Sequence, residues 1–262
     1  AGSLTISAWE QPEVEITGTL GDGVEGIEVS SDEDGIEIEV KYEENFRGRH
    51  TSETELVIRV PQGSPLDVET VSASIAVSGV TAPVELESVS GAVRVSDRPE
   101  ALEVETVSGS IDVASAPDGS ELASVSGAIR VGSSQGRVEA ENVSGSILVE
   151  GGTLGGGSFE TVSGEITCKA VPGASGSIDM ETMSGSITLV ADPDGKVGQV
   201  DLREQVLDRL LLVRRRHEEQ LVARLEGVVG AGGDDLPAAQ DGQGLLFGKR
   251  LQTQRNDPVV GR

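Results

Sequence analysis

Glu105-Thr106-Val107-Ser108-Gly109-Ser110-Ile111-Asp112-Val113 decides the fold, because variants of this stretch recur along most of the chain. Aligned on the central serine, they give Ser72, Ser90, Ser108, Ser126, Ser144, Ser163 and Ser184, at separations of 18, 18, 18, 18, 19 and 21. The residue after each serine is Ala73, then Gly91, Gly109, Gly127, Gly145, Gly164 and Gly185. Three residues beyond each serine stand Ile75, Val93, Ile111, Ile129, Ile147, Ile166 and Ile187. A fixed period with fixed residue types at fixed offsets marks a stack of like units.

Within one unit, apolar and polar residues alternate on both sides of the serine. Leu102 and Val104 alternate with Glu103 and Glu105, and Gly109, Ile111 and Val113 alternate with Ser110 and Asp112. Period two is the period of a strand with one covered face, so each unit is two short strands. Val71, Val89, Val107, Val125, Val143, Val162 and Met183 precede the serines and are one step out of phase with the first strand. A bend or bulge at the Thr-Val step is expected to turn these residues inward, beside the glycine and isoleucine columns.

Segments such as Ser96-Asp97-Arg98-Pro99-Glu100-Ala101 and Ala114-Ser115-Ala116-Pro117-Asp118-Gly119 separate the units and hold the residues that favour turns. The variation in length falls in them. The expected fold is therefore all-β: a single-stranded parallel β-solenoid, or β-helix, of about seven 18-residue coils. Coils stacked at about 4.8 Å would give a repeat array roughly 34 Å long. The competing arrangement makes Ser-Gly the two-residue turn of an antiparallel hairpin, which would also put Thr106 opposite Ile111 and Val104 opposite Val113. The constant period favours the solenoid, since a run of hairpins has no need for one.

The repeats divide the chain into three parts. Residues 1–61 carry alternating runs at Glu13 to Leu20, Gly26 to Ser30, Gly35 to Tyr42 and Glu55 to Pro61, expected as strands that begin or cap the stack. Residues 62–202 are the solenoid. Residues 203–262 diverge: Val206, Leu207, Leu210, Leu211, Leu221, Leu225 and Val228 are spaced as on a helix. This tail is expected to be partly helical or disordered. It is either a cap on the open end or a segment foreign to the fold, such as the product of a shifted reading frame. Ala1 in place of Met suggests a processed or trimmed start, with the setting left to whatever precedes it.

Composition narrows the function. Only 2% of residues are aromatic while 35 are glycine, so small β-branched side chains must fill the interior. The net charge is −25 and lies in the first part: residues 1–195 hold 35 acids against 9 Lys or Arg, and residues 196–262 hold 10 against 11. Such a surface repels phosphate backbones, so no nucleic-acid partner is expected. Arginine outnumbers lysine by 16 to 4, which with the acidity suggests a salt-rich, halophilic source. One cysteine excludes an internal disulfide framework. No apolar run is long enough to span a membrane as a helix.

The acids form two columns. Five residues before the serines stand Asp67, Glu85, Glu103, Glu121, Glu139, Ser158 and Asp179; three before stand Glu69, Glu87, Glu105, Ala123, Glu141, Glu160 and Glu181. Alternation points both outward, as an acidic face. Glu69, Glu85, Glu87, Glu103, Glu105, Glu139 and Glu141 are candidates for a weak cation-binding ladder, but no turn supplies the oxygen cage calcium prefers, so a solvated acidic face typical of salt adaptation, screened by non-specific cations, is the favoured reading. Between the columns and the serines run Thr70, Ser88, Thr106, Ser124, Asn142, Thr161 and Thr182, expected as an internal ladder in which each side chain bonds the next.

Other chemistry is sparse. Arg94, Asp112 and Arg130 alternate in sign on successive coils, which suits a structural ladder. Cys168 replaces the inward valine of other coils and is expected as a small core residue. His50 and His217 have no partner at metal or triad spacing, and Asp32-Glu33-Asp34-Gly35 starts like a calcium loop without its later ligands, so a tight turn is expected there. No catalytic residue and no cofactor is assigned.

Ile6-Ser7-Ala8-Trp9-Glu10, Leu56-Val57-Ile58-Arg59-Val60-Pro61 and the iterated Thr-Val-Ser-Gly-Ser-Ile resemble the DUF4097 family of β-strand repeat proteins, described as adhesin-like. The likeness covers about residues 4 to 202. It implies a β-solenoid in a cell-surface or envelope setting and brings no catalytic residues with it. The expected function is accordingly a non-enzymatic, adhesin-like module at the cell surface or envelope, contacting a protein or glycan surface. An intracellular or membrane-proximal signalling scaffold is the alternative, and a polysaccharide-active β-helix enzyme a more distant one.

Overall fold

A computed structural model describes residues 2–31, 35–43, 52–173, 175–191, 199–204, 207–214 and 223–227. Every regular element among them is a strand. The repeats stack in parallel: Leu66–Thr70 pairs with Val84–Ser88, which pairs with Leu102–Thr106, which pairs with Ser120–Ser124. The second strands form a matching series through Ala73–Ser78, Val93–Val95, Ile111–Ala116 and Ile129–Ser134. Each residue thus lies over its equivalent one coil away, as in Ile111 between Val93 and Ile129. Hairpins at Ser-Gly would have paired the two strands of one unit antiparallel, so the parallel register establishes the solenoid.

The core is a set of columns. Leu86, Val104 and Leu122 fill one side, and Val93, Ile111 and Ile129 the other, all almost fully buried. Side-chain size is balanced between neighbours. Among the described residues Phe159 is the one large ring in this core and stacks on Ala140, while a Cβ on Gly157 would come within 2.8 Å of the ring. In later coils the two strands merge into long bent ones, Gly156–Cys168 and Ser177–Ala191, because the ladder runs through the corner at Ser163 with Ser184 and Gly164 with Gly185.

The segment before the repeats does more than precede them. Gly2–Trp9 lies between two later strands, parallel to Thr54–Pro61 on one side and to Ala73–Ser78 on the other. Glu15–Thr19 then closes that edge by pairing antiparallel with Thr54–Pro61. Val24–Ser31 and Ile36–Tyr42 form an antiparallel hairpin whose Ile38 packs against the core. The alternating runs of residues 1–61 predict strands there but not the interleaving of the first between two later ones.

The helical expectation for the tail fails where the structure describes it. Leu207–Arg214 and Ala223–Gly227 are strands, paired parallel with Ser177–Ala191 and Gln199–Glu204 respectively. The leucines of Leu207-Asp208-Arg209-Leu210-Leu211-Leu212-Val213 also suit a strand, and a preceding parallel edge selects that conformation by supplying unpaired backbone groups. The other tail residues lie outside the described ones, as do His50, His217 and Asp32-Glu33-Asp34.

Candidate functional site

The first strand of each coil carries the features that stand out on the surface. Asp67, Glu85, Glu103, Glu121 and Glu139 share one register position, and Glu69, Glu87 and Glu105 share another, followed by Ala123 and Glu141. Leu86 and Val104, alternating with them, are buried. Glu69, Glu85, Glu87, Glu103, Glu105 and Glu141 are exposed and Glu139 is half-buried, with Arg137 ion-paired to it at 2.7 Å. Glu87 and Glu103 titrate above the ordinary glutamate value. Loss of water against the adjoining coils is the larger cause and the like charges of neighbouring carboxylates the next.

The valines before the serines do not face inward. Val89, Val107, Val125, Val143, Val162 and Met183 are 44–49% exposed and Val71 is 73% exposed. Alternation runs unbroken through buried Thr106 to exposed Val107, and the phase slips one step later, where Val107 and Ser108 both face out. The corner is therefore at Val-Ser, not Thr-Val. Its geometry explains the choice of residue: the inner corner leaves backbone groups to satisfy, and a hydroxyl does this where a valine could not. Thr106 Oγ1 donates to the Gly109 carbonyl at 2.8 Å, and Ser124 Oγ accepts from Gly127 N–H at 2.9 Å.

The buried polar column is paired rather than continuous. The hydroxyls of Thr70 and Ser88 are hydrogen-bonded, as are those of Thr106 and Ser124, each at 3.1 Å, while Asn142 Nδ2 donates to the Gly127 carbonyl. Asn142 Oδ1, Thr161 Oγ1 and Thr182 Oγ1 are buried without a protein partner. Outside the corner, Ser90, Ser108 and Ser126 donate to the carbonyls of Val71, Val89 and Val107, one coil earlier. These bonds hold successive corners in line. The outcome is a groove along the stack, bordered by Glu69, Glu87, Glu105 and Glu141 on one side and the Val/Met column on the other.

The two segments outside the repeats that the resemblance singled out lie side by side, with Ile6 opposite Ile58 and Trp9 opposite Pro61. Trp9 Nε1 donates to the Glu13 carbonyl at 2.8 Å, and the Arg59 guanidinium stands 5.7 Å from the ring centroid while pairing with Glu15 at 2.9 Å. The Toastrack DUF4097 family model matches residues 3–206. The chain belongs to the Toastrack family. No curated protein and no solved structure matched in the parallel comparisons.

The Toastrack match takes in every repeat and the interleaved first strand, and ends at the divergent tail. On the second strand of its coils, Arg94 pairs with Asp112 at 3.5 Å and Arg130 with Glu150 at 2.6 Å, so these charges brace adjacent coils. Cys168 is wholly buried between Val149 and Leu189, and burial pushes its thiol up to about 11. Among the described residues no helix is long and apolar enough to cross a membrane, and no group of three or more His, Cys, Asp or Glu could hold a metal ion. Sequence reasoning missed the aliphatic half of the groove. The signal was available: threonine, serine or asparagine stands before every one of those aliphatic residues, and an inward polar column forces its neighbour outward.

Proposed function

We propose that this Toastrack chain is a non-enzymatic interaction module of the cell surface or envelope, adhesin-like in presenting columns of identical side chains to a protein or glycan surface. One observation carries the reading. Seven apolar side chains, one per coil at the same place, stay about half exposed or more, although aliphatic residues three and four positions away, such as Val104 and Ile111 beside Val107, are buried. A contiguous apolar stripe in water is costly without a partner to cover it. The exposed carboxylates beside it form an acidic face that would keep the uncovered protein soluble and select among partners.

The test has two parts. The chain, expressed from its natural gene with an epitope tag, is expected to be cleaved when intact cells are treated with protease. The purified chain is expected to sediment with the envelope fraction of the same cells. Protection in intact cells with no envelope binding would overturn the surface assignment and favour a scaffold inside the cell.

A further inference from the structure

We infer that the groove between the glutamate and valine columns is a docking site for a cationic amphipathic helix of another polypeptide. The inference rests on the reading of the chain as an interaction module and names the kind of partner. The two walls have different chemistry: Glu87, Glu105 and, beyond Ala123, Glu141 offer carboxylates, while Val89, Val107 and Val143 offer methyl groups two residues further along the chain. A ligand that satisfies both must carry a row of positive charge beside a row of aliphatic groups. Charge complementarity thus defines one flank and apolar area the other.

The backbone of the groove selects a helix over an extended segment. Strand Leu102–Thr106 is already paired on both sides, with Val84–Ser88 and Ser120–Ser124, and the corner amides are engaged too, with Val107 N–H on the Ser88 carbonyl at 3.1 Å. A strand laid along the stack would find no backbone partner here and would leave its own groups unpaired. A helix bonds its own backbone internally and needs only side-chain contact. Seven column positions at about 4.8 Å span roughly 29 Å, the length of a helix of about 19 residues. A turn of helix rises about 5.4 Å, near enough to the coil spacing for leucines three and four apart to meet successive valines. A second copy is a poor occupant, since each chain carries a net charge of −25 and brings another carboxylate column.

The experiment uses the full chain and three fluorescein-labelled peptides of about 19 residues, read by anisotropy at about 0.15 M salt. One is a Leu/Lys sequence with leucines on one helical face. The second has the same composition in an order that cannot segregate the faces. The third is the first with Glu for Lys. The ordered Leu/Lys peptide is expected to bind at least about tenfold more tightly than either control. The exposed double substitutions Val107→Asn with Val125→Asn, and Glu105→Gln with Glu141→Gln, are each expected to weaken it by about fivefold or more. Circular dichroism of both variants should match the parent, separating loss of binding from loss of fold.

Equal binding of ordered and scrambled peptides would reduce the effect to charge attraction and overturn the proposal, as would no binding, or variants without effect. Concentration-dependent dimers abolished by the valine pair would assign the stripe to a second copy and also overturn it. Failure here with surface exposure and envelope binding intact would leave the module reading standing on another surface. Peptide binding by a protein confined within the cell would remove only the setting.

Discussion

The Cβ that Gly109 lacks would stand 1.9 Å from the carbonyl oxygen of Gly91, one coil earlier. The same approach recurs at Gly127 with Gly109, Gly164 with Gly145 and Gly185 with Gly164, each at 1.8 Å. The obstacle is backbone already fixed in the ladder, so no rotamer change relieves it. Gly109→Ala is expected to destabilise the fold by about 3 kcal/mol, read from urea denaturation, whereas the exposed neighbour Ser110→Ala should stay within about 0.5 kcal/mol. Equal effects would mean that the corner can spread.

Thr106 and Thr161 occupy one column but differ in what their hydroxyls touch. Thr106 Oγ1 serves the Gly109 carbonyl and Ser124, and Thr161 Oγ1 has no protein partner. Thr106→Val should cost about 1–3 kcal/mol by stripping bonds from a buried corner, while Thr161→Val should be neutral or stabilising by up to about 1 kcal/mol. Thermal melts of the two variants check the contrast, and a loss at Thr161 as large as at Thr106 would contradict it.

Acid is expected to strengthen this protein before it weakens it. Glu87 and Glu103 hold their protons to higher pH in the fold than the ordinary value of 4.5, first through lost hydration and then through Glu69, Glu85, Glu105 and Glu121 around them. The folded state then binds more protons than the unfolded one just above that value, so stability falls as pH rises through the folded pKa and grows on acidification. At low ionic strength Tm should rise as the pH falls from neutrality toward the ordinary glutamate value of 4.5. Glu87→Gln with Glu103→Gln should raise Tm at neutral pH and flatten the profile. KCl should do the same by screening, and CaCl2 at equal ionic strength should match KCl.

The thiol of Cys168, held up to about 11 by burial, should resist a thiol reagent at mildly alkaline pH until the coil opens. Its labelling rate then reports unfolding of the stack. Because the unfolded thiol ionises from about 9 and the folded one does not, stability should decline between those two values. Cys168→Val, which restores the residue of the preceding coils, should remove that part of the decline with little other effect.

Counting from one serine to the next was enough to place Asp67 over Glu85 and Ile111 over Ile129, because in a parallel stack sequence period and spatial register are the same quantity. The direction of Val107 was not legible from its hydropathy. An apolar side chain was assigned to the core when the backbone demand of the corner gave that place to Thr106. The slot taken by Gly2–Trp9 was also hidden, since its partners lie 52 and 71 positions away in the aligned pairs Gly2 with Thr54 and Gly2 with Ala73, and no period connects them. At Leu207–Arg214 the leucine spacing suited a helix, but a waiting parallel edge outweighed local preference.

The interleaving of Gly2–Trp9 has a consequence for the order of events at the ribosome. That strand emerges before both of its neighbours, and the farther one, Ala73–Ser78, follows after several seconds at about 10 residues per second. The repeats can zip coil onto coil from local contacts as they appear, whereas this strand needs contacts that are distant along the chain and costly to close. Its insertion is then expected to be the slow step of maturation, and a nascent chain halted before Ser78 would carry a strand of eight residues with one side unclaimed.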